Sequence, residues 1–111
     1  MDNKLLNTKY TFTFADDTTA ELTLAFYALY QLKSKKRDLY DRYNSVMSSM
    51  STKKQNSYDE IDMITMLYTA YACANIGDVD NIMSEEDFMI KCGSDRANVG
   101  KAIAALLTPK N

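Results

Sequence analysis

Between Leu24 and Met50 no glycine or proline interrupts the chain, and Leu29, Leu32, Lys36, Leu39, Tyr43, Val46 and Met50 follow one another at alternating steps of three and four. That spacing places these side chains along one face of an α-helix, as in a heptad repeat. A single helix over this stretch of roughly 27 residues would be about 40 Å long. Lys36 is the one polar break in the stripe. Two arrangements satisfy the pattern: one continuous helix over 24–50, or two helices jointed near Ser34. Because the stripe covers only about three heptads, packing within one protomer explains it as well as a coiled coil does.

Upstream the period changes from helical to strand-like. Tyr10, Phe12 and Phe14 alternate with threonines, the pattern of a half-buried strand. Ala15-Asp16-Asp17-Thr18 supplies turn chemistry, and Thr19 to Leu24 alternates again through Ala20, Leu22 and Leu24. A β-hairpin over 8–24 is expected. An isolated hairpin is marginal in water, so its aromatic face must pack on helices.

Downstream, Ser51 to Ser57 is polar and reads as a loop. Ser57-Tyr58-Asp59-Glu60 fits a capping box, with Asp59, Glu60 and Asp62 where a helix dipole favours anions. The following helix, 58–76, is apolar on most sides and therefore central, with Gly77 as its terminator. Shorter helices are expected over 84–92, from Ser84 to Gly93, and over 95–107, ending before Pro109 and burying Val99, Ile103 and Leu106. The expected fold is mainly α (α+β): one domain over 1–111, with the hairpin packed on about four helices.

The composition restricts the chemistry. There is no histidine, which removes the commonest general base, the commonest metal ligand and every Ser-His or Cys-His arrangement. Two cysteines, Cys73 and Cys92, are too few for structural zinc and lack CxxC spacing. Asp78 to Phe88 fails as a calcium loop: counted from Asp78, Ile82, Met83 and Met89 occupy positions that need an oxygen ligand, glycine and glutamate. No catalytic residue, cofactor or metal site is expected, and the chain is read as a non-enzyme. The longest uncharged run, Met63 to Gly77, is too short to span a bilayer. Met1-Asp2-Asn3-Lys4 opens without the basic and apolar regions of a secretory signal. A reduced, cytoplasmic protein is expected.

What remains is surface. Lys33, Lys35, Lys36 and Arg37 lie near Tyr27, Tyr30 and Tyr40, a combination that nucleic-acid-binding surfaces use. The net charge of −2 argues against that role, and such a run is usually a solvated helix face. Paired with the acidic run Asp78 to Asp87, the basic run suits head-to-tail self-association or partner docking, and equally neutralisation within the fold. Seven methionines and eight tyrosines suit adaptable binding surfaces as well as cores.

The order of features is that of a known family. An aromatic hairpin leads into Thr23-Leu-Ala-Phe-Tyr-Ala-Leu-Tyr-Gln-Leu32. A long helical segment and a polar loop follow. Then come the Tyr/Ala-rich Met66-Leu-Tyr-Thr-Ala-Tyr-Ala-Cys-Ala-Asn75, the helix start Met83-Ser-Glu-Glu-Asp-Phe88, and a brief basic end. This resembles the small tail assembly chaperones of long-tailed phages and prophages of Gram-positive bacteria. The long basic segment 33–44 departs from the simplest versions of that pattern. The resemblance implies a binding protein of the bacterial cytoplasm that keeps the phage tape measure protein soluble, assists tail tube assembly and often self-associates. It also implies two product lengths through frameshifting, and Pro109-Lys110-Asn111 can be encoded by a slippery sequence. Partner-binding candidates are Tyr27, Tyr30, Lys33, Lys36, Tyr40, Tyr43, Met47 and Met50. The alternatives are a small protein-binding adaptor of a mobile element and a nucleic-acid-binding module using Lys33 to Arg37.

Overall fold

The computed structural model describes residues 9–51 and 59–107. The alternating aromatic segment forms β1 (Tyr10–Thr13), which pairs antiparallel with β2 (Thr19–Leu22). Tyr10 lies opposite Leu22 and Thr13 opposite Thr19. Phe12, Phe14 and Leu22 point into the core, while Thr11, Thr13 and Glu21 face solvent. In the turn, Phe14 N–H donates to the Thr18 carbonyl (2.8 Å), and the Asp16 carboxylate accepts from the Thr18 amide (3.0 Å). Asp17 takes a φ of 71°, a left-handed conformation that aspartate tolerates.

Two strands cannot stand alone, and this pair is stitched to the helices at three points. Thr23 N–H donates to the Ala70 carbonyl (3.1 Å), Ala15 N–H to the Lys91 carbonyl (2.9 Å), and the Asn98 side-chain amide to the Thr13 carbonyl (2.8 Å).

The long apolar stripe is divided between α1 (Phe26–Lys35) and α2 (Arg37–Ser51). Of the two arrangements the sequence allows, the jointed one is found, with the joint at Lys36 (φ −137°, ψ 68°), just beyond Ser34. Tertiary packing decides this. The bend lets Ala28, Leu29 and Leu32 of α1 and Leu39, Tyr43 and Val46 of α2 enter the same core, and the polar member of the stripe sits at the corner.

Helix α3 (Glu60–Ala74) is central and touches α1, α2, α4, α5 and β2. Met66, Leu67, Thr69, Ala70 and Ala72 are fully buried on it. Thr69 satisfies its hydroxyl by donating to the Thr65 carbonyl at 2.7 Å. Its capping box is real but displaced by two residues from the expected one. The Asp59 carboxylate accepts from Asp62 N–H and the Asp62 carboxylate from Asp59 N–H, each at 3.0 Å. Aspartates at both positions satisfy two orphan amides reciprocally. The far end is also corrected. Asn75 caps α3, its side-chain amide donating to the Tyr71 carbonyl (2.9 Å), and Gly77 lies within a 3₁₀ stretch, Ile76–Asn81.

The expected ends of α4 (Glu85–Cys92) are found: Ser84 Oγ accepts from Asp87 N–H at 3.1 Å, and Gly93 closes the helix with a φ of 66°. Helix α5 (Arg96–Leu107) buries Val99 and Ile103, with Leu106 packed at the margin of the core. The Asp95 carboxylate caps it by accepting from Asn98 N–H at 3.1 Å. The fold is mainly helical with a two-stranded hairpin packed on the helices. Expectations for Thr8, the loop at 52–57, the Ser57 cap, the stop at Pro109 and the segment 109–111 lie outside the described residues.

The core is strongly aromatic. The Phe88 ring is edge-on to Phe14 (5.2 Å between centroids) and to Tyr68 (5.6 Å), and lies beside Tyr71 (5.3 Å). Tyr68 donates its hydroxyl to the Met83 carbonyl (2.8 Å), and Met83 N–H donates to the Tyr71 hydroxyl (3.2 Å). Two tyrosines of α3 thereby hold both backbone groups of the residue that leads into α4. The fold can bury these phenols because each finds a partner.

Candidate functional site

Helix α1 is apolar on two opposite sides. Ala28, Leu29 and Leu32 are buried, as the stripe requires. On the other side Phe26 is 90% exposed, Tyr30 72% and Tyr27 55%. Positions 26, 27 and 30 fall together on a helix because neighbours three and four apart share a face. The Tyr27 and Tyr30 rings stack, with centroids 6.3 Å apart and planes 24° from parallel. No side chain caps the amino end of this helix, and no acidic residue occupies its first turn. An aromatic cluster this exposed is a candidate contact surface.

The sequence candidates divide. Tyr27 and Tyr30 belong to the exposed cluster. Lys33 is exposed, its ammonium 5.5 Å from the centroid of the half-buried Tyr40 ring. Met47 and Met50 are half-buried and pack against the core. Tyr43 is only 7% exposed, because it follows Leu39 and precedes Val46 on the inward stripe. Burial pushes its phenol up to about 12, with Cys73 and Tyr40 adding to the effect. Tyr43 is a core residue and makes no external contact. Phe26, the most exposed large apolar residue described, was not among the candidates. Its signal was its spacing: four residues before Tyr30, and off the phase set by Leu29 and Leu32.

The basic run is engaged within the protomer. Lys36 Nζ lies 2.7 Å from Asp80 Oδ1, and its hydrogen bond holds that carboxyl below its usual range. Lys35 Nζ reaches the Ile76 carbonyl at 3.4 Å, and Arg37 Nε pairs with Asp41 at 3.2 Å. Arg42, further along α2, pairs with Glu85. One pair, Lys36–Asp80, joins the basic run to the acidic run within the fold, while Arg37 pairs along its own helix. A nucleic-acid surface would need these cations free to face phosphate.

Neither thiol is set up for reaction. Burial pushes Cys73 up to about 12 and Cys92 up to about 11, so both stay protonated near neutrality. Among the described residues no three His, Cys, Asp or Glu side chains are grouped to hold a metal ion, and no helix is long and apolar enough to cross a membrane. Two of the clefts among the described residues are lined by apolar side chains beside an ion pair. One, of about 160 Å³, lies where α3, α4 and α5 meet and is lined by Ile64, Met89, Cys92 and Val99, with Glu60 and Arg96 paired beside it. The other, of about 290 Å³, lies beside the Lys36–Asp80 pair, over Leu39, Tyr68, Val79 and Ile82.

Compared with family models, with curated proteins and with solved structures, the chain finds no match.

Proposed function

We propose that this protein acts by binding another protein, as a tail assembly chaperone that keeps a phage tape measure protein soluble through the outer face of α1. The observation that carries the binding reading is the exposed aromatic cluster Phe26, Tyr27 and Tyr30 on a helix whose opposite side is already used by the core. Aromatic side chains deliver large contact area at low conformational cost. A ridge of this kind fits between the side chains of an amphipathic helix, the mode by which helical segments are commonly captured. The choice of partner rests on the resemblance of the sequence to the chaperone family.

The test is co-expression with a phage tape measure protein, scored as the soluble fraction of that partner. The native chain is expected to raise it, and the Phe26→Ala/Tyr30→Ala double variant to raise it much less while folding normally. If the native chain leaves the partner's solubility unchanged, the chaperone reading falls. If native and double variant act equally, the α1 face is the wrong surface.

A further inference from the structure

The bend between α1 and α2 is a single residue wide, and nothing in the local sequence demands it. No glycine or proline lies between Leu24 and Ser51, and Lys35, Lys36 and Arg37 are all good helix formers. The hydrogen-bond ladder nearly crosses the joint already. Lys36 N–H donates to the Leu32 carbonyl (2.7 Å), and Tyr40 N–H to the Lys36 carbonyl (3.0 Å), both at helical spacing. In a continuous helix the amides of Arg37, Asp38 and Leu39 would donate to the carbonyls of Lys33, Ser34 and Lys35. The apolar stripe keeps its three-and-four rhythm straight through position 36. What bends the chain is tertiary: the docking of α1 and the hairpin on the remaining helices, and the clasp of Lys35 and Lys36 on the 3₁₀ stretch at Ile76 and Asp80.

We infer that the chain forms a domain-swapped dimer in which α1 and α2 fuse into one helix, and the hairpin with α1 (residues 9–35) docks on the α2–α5 surface of a second copy. The exchanged unit is well defined. It carries Phe12, Phe14, Leu22, Ala28, Leu29 and Leu32 into the core, and it is tied to the rest by Thr23–Ala70, Ala15–Lys91 and Asn98–Thr13 hydrogen bonds and the Asp16–Lys91 ion pair (3.5 Å). Every one of these contacts is re-formed in the dimer with a partner of identical chemistry, so exchange sacrifices none of them. The dimer gains helix at two joints and gives up, at each, the Lys35 and Lys36 clasps and the Lys33–Tyr40 contact. A short hinge between packed elements is a setting that invites such exchange. The inference is independent of which protein the α1 face takes.

Two measurements on the full-length protein test it. Equal amounts of isotopically light and heavy chain are unfolded together, refolded at high concentration, separated by size and treated with a zero-length carbodiimide cross-linker. In the dimer fraction about half of the Asp16–Lys91 cross-linked peptides should join one light and one heavy chain, and in the monomer fraction none should. A protein that stays monomeric at every concentration, or a dimer whose Asp16–Lys91 cross-links are all of one isotope, overturns the inference. The second measurement compares Lys36→Ala with Lys36→Gly. Both delete the Asp80 pair, so they differ chiefly in helix propensity, worth roughly fivefold per joint and about 25-fold for two. Lys36→Ala should dimerise more strongly by a factor of that order, and equal dimerisation of the two variants also overturns the inference.

Discussion

Arg42 and Glu85 meet in a two-pronged ion pair, with Nη2 2.8 Å from Oε1 and Nη1 3.2 Å from Oε2. The pair joins the middle of α2 to the first residue of α4 beside Thr65 of α3, whose hydroxyl donates to Glu85 Oε2 at 3.2 Å. Glu85 is therefore useful in three ways. It receives a planar guanidinium, it satisfies a buried threonine, and its charge sits at a helix amino end where the dipole favours it. The hydrogen bond to Glu85 raises the guanidinium's already high pKa.

Replacing either partner by alanine should cost about 1 kcal/mol, at the upper end for ion pairs that remain partly solvated. The double variant should lose less than the sum of the singles by about 0.5–1 kcal/mol, because the second deletion removes a contact already gone. Urea unfolding of the four proteins measures this directly. Strict additivity would show that the pair contributes nothing as a pair, and that Glu85 acts only through Thr65 and the dipole.

Gly93 is constrained twice over. Its φ of 66° disfavours any side chain, and a Cβ placed there would come within 3.1 Å of Ala15 Cβ, where the hairpin turn is fastened to α4. Gly93→Ala should destabilise by about 1–2 kcal/mol, a little above the ordinary range for an incompatible glycine replacement. Adding Ala15→Gly should return only part of that loss, since it relieves the contact and leaves the backbone conformation as it is. Thermal melts of the two variants separate these causes. Full recovery in the double variant would assign the whole effect to crowding.

Where periodicity and local chemistry agreed, the sequence was a sufficient guide. Tyr10, Phe12 and Phe14 alternate with threonines, and the strand they predict is present. Ser84 and Gly93 bound α4 as their types require. The misplacements occurred where two local solutions compete. Both Ser57 and Asp59 are types that cap helices, and the described cap is Asp59, with a second aspartate three residues on. Asn75 and Gly77 are both plausible terminators, and the asparagine acts first by folding its side chain back on Tyr71. The bend at Lys36 has no local cause, so position 34 or 36 could not be chosen from propensity.

The candidate surface was half legible for a related reason. Helical phase tells which residues share a face and not which face is covered. Tyr43 and Tyr30 are the same residue type on neighbouring helices, and one is core while the other is 72% exposed. The stripe containing Leu39 and Val46 assigns Tyr43 inward. The opposite phase assigns Phe26, Tyr27 and Tyr30 outward only once Leu29 and Leu32 are known to face α3. In α1 both sides are apolar, so composition could not decide.

The buried thiols and the Tyr43 phenol give the fold a defined alkaline limit. Burial raises Cys73 from 9.0 to about 12, Cys92 from 9.0 to about 11 and Tyr43 from 10.0 to about 12. Above about pH 9 the unfolded chain releases these protons while the native protein keeps them. The unfolded state then binds fewer protons, so stability falls as pH rises. Their contribution is fully present below pH 9 and is lost across the window from about 9 to 12, with a slope of at most about 1.4 kcal/mol per pH unit for each group. Urea midpoints measured from pH 7 to 11 should stay level to about pH 8.5 and then decline. Cys73→Ala should flatten the decline by up to one group's share, whatever it costs in packing at neutral pH. Thiol labelling should agree: both cysteines should react slowly in the native protein at pH 8 and quickly in urea. A midpoint independent of pH up to 11, or rapid native labelling of Cys73, would mean that these side chains are open to water.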